Sequence, residues 1–584
     1  MCGIFALLNY LTNDSDFLKI TNEQFMKGSG RGPEFSKLNT NYNHVTLGFH
    51  RLAINGLNDE SNQPLVIDNI VLICNGEIYN YKNLYKMMNL TPKTGSDCEV
   101  IIHTYLKYGI EQTLNILDGV FAFLLYDTTK EILYVARDPL GVRPLYMLNH
   151  FYSNTSFSQF GFASELKCLE YFYNNNNETY IIYESQKIIR QFTPGTYSVF
   201  KFNSYETYWD LDKQHVPYFT FNHSHTWLFD DAIQLKSQIE QIRKNIVYYL
   251  NCAVTKRCLT TERPIACLLS GGLDSSLITA LVNNVYKTIG NNVNKLETYS
   301  IGLEGSEDLK YAKKVATYLD TNHTEIIVTE KDMFDAIPEV INALESYDTT
   351  TVRASLGNYL LGKYIKAHSN AKVIFNGDGS DELFGGYLYM NKCPDSIEFD
   401  KETRRLLKDI HLFDVLRSDK SISSHGLEPR TPFLDKSFVN YVLSIPPELR
   451  NHKYYDDFPY AYSGIEKFIL RYSFSLSNFT DASGRQLLPD EILWRKKEAF
   501  SDGVSSKGRS LYQILQEKIA EKMALSTGQS YEANIDTEKL YYRQIFDGLY
   551  PNCVHIVPYY WMPKYTDAKD PSARTLDIYD SVKE

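Results

Sequence analysis

The stretch Ile265-Ala266-Cys267-Leu268-Leu269-Ser270-Gly271-Gly272-Leu273-Asp274-Ser275-Ser276 reads as an apolar strand, a glycine turn and the opening of a helix. Two further strand-like runs, Glu297 to Gly302 and Lys372 to Asn376, are set apart by helical segments. Strand alternating with helix predicts a parallel α/β sheet. Glycines let a backbone approach a phosphate, and a helix start offers free N–H groups and partial positive charge. The hydroxyls of Ser270, Ser275 and Ser276 add donors, and Asp274 suits a Mg2+ ion on the phosphates. The turn is not a Walker loop, since GxxxxGK[ST] does not occur there. A second loop, Asn376-Gly377-Asp378-Gly379-Ser380-Asp381-Glu382-Leu383-Phe384-Gly385-Gly386-Tyr387, follows the third run. Ligands bind at the C-terminal ends of parallel strands, which makes Asp381 a candidate second metal ligand. Beyond about Asp400 the pattern is mostly helical.

Upstream, helical periodicity starts near Asp231, and the aperiodic polar and aromatic stretch Lys213 to Trp227 reads as a linker. The first part of the chain carries short β-rich runs broken by Gly, Asn and Pro: Val45 to Phe49, Ile70 to Cys74, Phe121 to Tyr126, Ile132 to Ala136 and Gly161 to Ala163. They predict an antiparallel β-rich domain, with helices over Tyr81 to Met88 and Asp97 to Tyr108. The expected organisation is a domain over 2–210, a linker over 211–230, a second domain over 231–564 and a polar tail over 565–584.

The chain opens Met1-Cys2-Gly3-Ile4-Phe5. A small residue after Met favours removal of the initiator, leaving Cys2 with a free α-amine of intrinsic pKa about 7.7–8.0. A thiol beside its own base is an activated nucleophile that needs no histidine. Arg31-Gly32-Pro33, Arg51-Leu52, Asn75-Gly76-Glu77-Ile78-Tyr79-Asn80 and Thr94-Gly95-Ser96-Asp97-Cys98-Glu99 follow. Such an Arg51 can hold an amino acid's carboxylate bidentately, and Glu77 and Asp97 can hold its ammonium. Asn75 and the N–H of Gly76 can stabilise the oxyanion formed when sulfur attacks an amide. Taken singly, Asn75-Gly76 also reads as a hairpin turn, and Arg51 and Asp97 as surface ion pairs.

Bulk properties exclude several classes. The 584 residues carry a net charge of −11, which argues against a dedicated nucleic-acid binder. No apolar run approaches the ~20 residues of a membrane helix, and the N-terminus lacks signal-peptide architecture. Nine cysteines without a CxxC pair point to a reduced, cytoplasmic setting without structural zinc.

The strings from Cys2 to Glu165-Leu166-Lys167, including Asp118-Gly119-Val120-Phe121-Ala122 and Arg137-Asp138-Pro139-Leu140-Gly141, resemble the class II glutamine amidotransferases. That resemblance implies a four-layer αββα N-terminal nucleophile fold. It makes Cys2 the nucleophile and Asn75 and Gly76 the oxyanion hole, with Arg51, Leu52, Ile54, Asn55, Asn75, Gly76, Glu77 and Asp97 holding glutamine. Gly30 and Glu34 depart from the common His and Asp on either side of Arg31-Gly32-Pro33, which bears on how that loop closes on glutamine.

The loop Ser270 to Ser276 looks like the pyrophosphate loop of the ATP-pyrophosphatase superfamily, implying a doubly wound parallel α/β domain with a helical C-terminal part. Further strings extend the likeness: Tyr347-Asp348-Thr349-Thr350-Thr351-Val352-Arg353, Glu428-Pro429-Arg430-Thr431-Pro432-Phe433-Leu434-Asp435, Glu466-Lys467, Arg495-Lys496-Lys497 and Asp570-Pro571-Ser572. Together the two halves resemble the glutamine-hydrolysing asparagine synthetases over nearly the whole chain. The resemblance implies an ATP site of Leu268, Ser270, Gly271, Gly272, Asp274, Ser275, Ser276, Ile301, Asn376 and Gly377. Aspartate falls to Thr350, Thr351 and Arg353, Mg2+ to Asp274 and Asp381, and transition-state charge to Lys467. It also implies an ammonia tunnel between the sites and makes a homodimer reasonable. The second loop usually begins Ser-Gly-Glu in this family, whereas here Asn376-Gly377-Asp378 stands; Asp378 is expected to organise the intermediate with altered coupling. A related two-domain synthetase with another carboxylate substrate is the alternative.

Overall fold

The computed structural model describes residues 2–581 except 11–14, 43, 153–156, 176–184, 290–293, 456–463, 476–478, 482 and 507. The expected loss of Met1 lies outside the described residues. Strands β1 Gly3–Leu8, β2 Phe35–Tyr42, β3 Val45–Arg51, β4 Leu65–Ile67, β5 Ile70–Ile78 and β6 Gly119–Asp127 are followed by β7 Ile132–Arg137, β8 Tyr146–Tyr152, β9 Ser158–Ala163, β10 Ser185–Gln191, β11 Thr196–Asn203 and β12 Tyr208–Pro217. They form two six-stranded sheets, in the orders β10-β8-β9-β1-β3-β2 and β12-β11-β7-β6-β5-β4.

Period-2 alternation explains the layering. Along β1, Phe5 and Leu7 pack with Phe25 and Phe172 of an outer helical layer, while Ile4, Ala6 and Leu8 meet Ile73 and Leu124 of the other sheet. On that sheet's far face, Leu72, Cys74, Phe121 and Phe123 pack under the helices Tyr81–Met88 and Val100–Ile116. Helix, sheet, sheet and helix thus follow in turn, and every residue of β1 is buried.

The second body is a parallel sheet of β13 Ile265–Leu268, β14 Glu297–Leu303, β15 Asn322–Val328, β16 Val373–Phe375 and β17 Glu428–Arg430, in the order β15-β14-β13-β16-β17. Strand order reverses between β13 and β16, and the loops after these two strands share the resulting crevice, where ligands bind in open α/β sheets.

Several sequence expectations shift. The linker does not start at 211, because β12 runs on to Pro217; its pairing with β11 slips at Val199, which breaks the alternation that would have revealed it. Asp97–Glu99 is a 3-10 turn, and the helix expected to end at Tyr108 continues to Ile116 through a kink at Gly109 (φ 77°). Asn75-Gly76 is no hairpin turn: both lie within β5, paired with Ala122 and Phe121 of β6. β15 and β17 were not expected; β17 is three residues long and contains Pro429, which an edge strand tolerates. The polar tail is docked, with Asp570 and Ser572 buried and Ser572 Oγ donating to Asp502 Oδ1 at 2.8 Å.

Candidate active sites

Cys2 enters β1, its Sγ 3.7 Å from the Leu52 carbonyl and its own carbonyl accepting Arg31 Nε at 3.0 Å. Burial pushes the thiol above its usual range, and Arg51 pulls the other way. Asn75 Nδ2 donates to Ser164 Oγ at 3.4 Å, and its Oδ1 is buried without a hydrogen-bond partner. Such an orphaned atom costs about 1–3 kcal/mol unless something arrives to pair with it. Gly76 permits the close approach of β5 and β6: a Cβ there would lie 2.5 Å from the Val120 carbonyl.

The acids lie together. Asn55 Nδ2 donates to Glu77 Oε2 at 2.8 Å and to Asp97 Oδ1 at 3.4 Å, while Ile78 N–H donates to Asp97 Oδ2 at 2.7 Å. Burial raises Asp97 to about 6. Burial, Asp97 and Glu428 push Glu77 well above the carboxylate range, against Arg430 and Arg143. Arg51 gathers the next loop, donating to the carbonyls of Asn55, Gly56 and Asn58 and to Asn62 Oδ1.

This loop is fastened to the second body. Glu34 Oε2 accepts the Ala53 N–H at 2.6 Å, and Glu34 Oε1 accepts Arg263 Nη2 at 2.9 Å. Glu262 receives the Gly56 N–H at 2.9 Å and donates its own N–H to Ile54 O at 3.0 Å. Glu34 is thus a tie between the bodies, and Gly30 abuts Ser424, whose carbonyl would lie 3.2 Å from a Cβ.

In the second body a cleft opens at the switch point. Leu268, Ser270, Gly272, Asp274, Ser275, Ile301, Asn376, Gly377, Asp378 and Asp381 line it. Gly271 and Ser276 do not; Gly271 (φ 75°) presses on the backbone of Tyr311 and Ala312, and Ser276 is fully buried. Gly377 lets the loops touch: a Cβ there would sit 2.6 Å from the Asp274 carbonyl carbon. Lys467 Nζ bridges Asp274 Oδ2 and Asp381 Oδ1, each at 2.6 Å, and Lys497 Nζ binds Asp381 Oδ2 at 2.5 Å. Burial opposes ionisation of Asp381, but the two lysines outweigh it and hold its carboxyl well below the usual range. Lys467 sits in the left-handed region (φ 58°), a conformation costing about 1–3 kcal/mol that clusters at functional sites. Gly386 makes room for it, since a Cβ there would lie 1.9 Å from Lys467 Cε.

Two residues expected to hold aspartate lie elsewhere. Arg353 is buried and bidentate to both Glu538 and Asp570, fixing the helix Ile535–Leu549 and the tail. Thr351 is held by the N-cap of its own helix, its N–H and Oγ1 donating to Asp348 Oδ2 at 2.8 and 2.7 Å. Thr350 does line the cleft. Sequence reasoning gave no role to Arg417, Tyr387, Lys497 and Trp561, which line it too; Tyr387 and Lys497 lay in strings already singled out, whereas Arg417 and Trp561 come from segments outside them.

Two antiparallel sheets carrying a thiol at position 2, joined to a parallel sheet carrying a glycine-rich phosphate loop, define a bifunctional amidotransferase–synthetase architecture. Residues 1–208 match the family model of the glutamine amidotransferase domain, and residues 249–399 and 391–567 match that of asparagine synthase. The chain is 40% identical to asparagine synthetase [glutamine-hydrolyzing] of Cricetulus griseus over 601 residues, of Gallus gallus over 600 and of Homo sapiens over 601, covering 100% of both chains in each case. The chain belongs to the family of glutamine-hydrolysing asparagine synthetases.

Proposed function

We propose that the chain makes asparagine from aspartate, glutamine and ATP, through the residues assembled above. Cys2 Sγ attacks the glutamine amide, with the α-amine of the processed chain taking the proton. Asn75 and the Gly76 N–H hold the oxyanion, and Glu77 and Asp97 hold the substrate ammonium. Aspartate's carboxylate is a poor electrophile, so it first attacks the α-phosphorus of ATP to give β-aspartyl-AMP and pyrophosphate. Ammonia then displaces AMP. Lys467 and Lys497 face the charge that develops on the phosphates, while Ser270, Gly272 and Ser275 cradle them.

Asp274 and Asp381 fit a Mg2+ ion, which is typically held by one or two carboxylates together with substrate phosphates. The Asp274 Oδ1 atom, buried without a hydrogen-bond partner, favours a cation there. Such an ion, when bound, neutralises charge on the leaving pyrophosphate. Nine free thiols suit a reducing, cytoplasmic setting, and no helix among the described residues is long and apolar enough to cross a membrane.

The observation that carries the reading is the lysine-bridged pair Asp274 and Asp381 at the switch point, in a chain that also begins with the Cys2 site. Incubation with glutamine, aspartate, ATP and Mg2+ is expected to yield asparagine, AMP and pyrophosphate in equal amounts. ADP and phosphate, or no new amino acid, would overturn it.

A further inference from the structure

Asn376 and Asp378, the two departures in the second loop, belong to one closed hydrogen-bond ring. The Asp378 N–H donates to Asn376 Oδ1 at 3.4 Å, Asn376 Nδ2 donates to Ser418 Oγ at 2.7 Å, and Ser418 Oγ donates to Asp378 Oδ2 through a short contact. Ser418 comes from the helix Asp414–Ser423, outside every string that pointed to the site. Asn376 and Ser418 are buried, and Asp378 lines the cleft.

The ring has one direction. A serine hydroxyl carries a single proton, so Ser418, having accepted the Asn376 amide, must aim that proton at the carboxylate. An asparagine at 376 supplies both the acceptor for the Asp378 backbone and the donor for Ser418. A hydroxyl in its place is too short to serve both at these positions. The carboxylate of Asp378 stands one methylene further back than that of a glutamate, and the ring anchors Oδ2, leaving Oδ1 for substrate.

We infer that Ser418 is the positioning residue that, with Asn376, sets the shorter acid Asp378 for the synthetase reaction, so that the three residues function as one unit. This rests on the adenylation reading above. A displacement of ~1 Å in such a site costs about a hundredfold in rate, and loss of one anchoring bond is expected to cost about tenfold or more.

The test is a double-mutant cycle, with ammonia as nitrogen donor and pyrophosphate and asparagine both measured. S418A is expected to lower kcat about tenfold and to reduce asparagine formed per pyrophosphate, with the KM for ATP and the glutaminase rate held within about twofold. S418T keeps the hydroxyl and is expected to retain activity. In a D378E background the ring is already broken, so adding S418A is expected to change kcat by less than about twofold. Equal losses in both backgrounds, or no loss from S418A alone, overturn the proposal. Should S418A not fold, S418C, which replaces the hydroxyl with a weak thiol donor, carries the same two expectations. Wild type that releases no pyrophosphate would overturn the adenylation reading itself. Wild-type turnover with an indifferent S418A overturns the ring alone.

Discussion

Arg430 Nη2, on the edge strand of the parallel sheet, stands 3.5 Å from Glu77 Oε2 in the antiparallel body. An edge strand of the synthetase half therefore places a cation against a residue assigned to hold glutamine. Removing that cation leaves Glu77 beside Asp97 and Glu428 with less to offset its burial, so its carboxyl moves further up and its charged form is disfavoured. Arg430→Ala is expected to raise the KM for glutamine about tenfold, the size of a 1.4 kcal/mol loss, and Arg430→Lys to raise it less. Steady-state kinetics with glutamine and then ammonia would check this; equal losses with both donors would show general damage instead.

Cys2→Ala is expected to abolish glutaminase activity while leaving ammonia-dependent asparagine formation near wild type. Protein that retains Met1 is expected to behave the same way, because the α-amine of Cys2 is then tied up in a peptide bond. Mass spectrometry of active enzyme that still showed Met1 would contradict this mechanism.

Lys467→Ala is expected to lower kcat about 10²- to 10³-fold, as removal of a preorganised charge does at other sites. Pyrophosphate release with ammonia as donor measures it, and glutaminase activity should persist.

Glutamine use is expected to have an acid limb at or above about pH 6. Asp97 is raised to about 6 and Glu77 is also raised, both chiefly by burial, and the adjacent acids lose protons as a pair. Below that range they are neutral and attract the substrate ammonium less. The sign for stability is opposite: the folded state holds the Asp97 proton more tightly than the unfolded chain, so this acid favours folding at low pH and loses that contribution as pH rises from about 4 to about 6. The pH profile of kcat/KM for glutamine, with ammonia as control donor, would show the limb. Asp97→Asn should shift it.

Arg353→Leu is expected to destabilise the fold by about 3–5 kcal/mol, because it leaves Glu538 and Asp570 buried and unpaired. Thermal or denaturant unfolding without substrates would detect it. Unchanged stability with a raised KM for aspartate would instead return Arg353 to the substrate site.

Local pattern determined much of this protein. Apolar runs between turn residues marked eight of the seventeen described strands, and Ser270 to Ser276 and Asn376 to Tyr387 marked the two loops, because strand periodicity and glycine-rich turns are written in consecutive residues. What local pattern cannot carry is contact across the chain. The pairing of Arg353 with Glu538 and Asp570, the tie from Glu34 to Arg263, the approach of Arg430 to Glu77 and the ring through Ser418 each join segments far apart in sequence. An arginine or serine looks the same in sequence whether it faces substrate, a buried carboxylate or its own helix. Only packing, which decides how far each group is desolvated and which partner stands within hydrogen-bond reach, assigns the role.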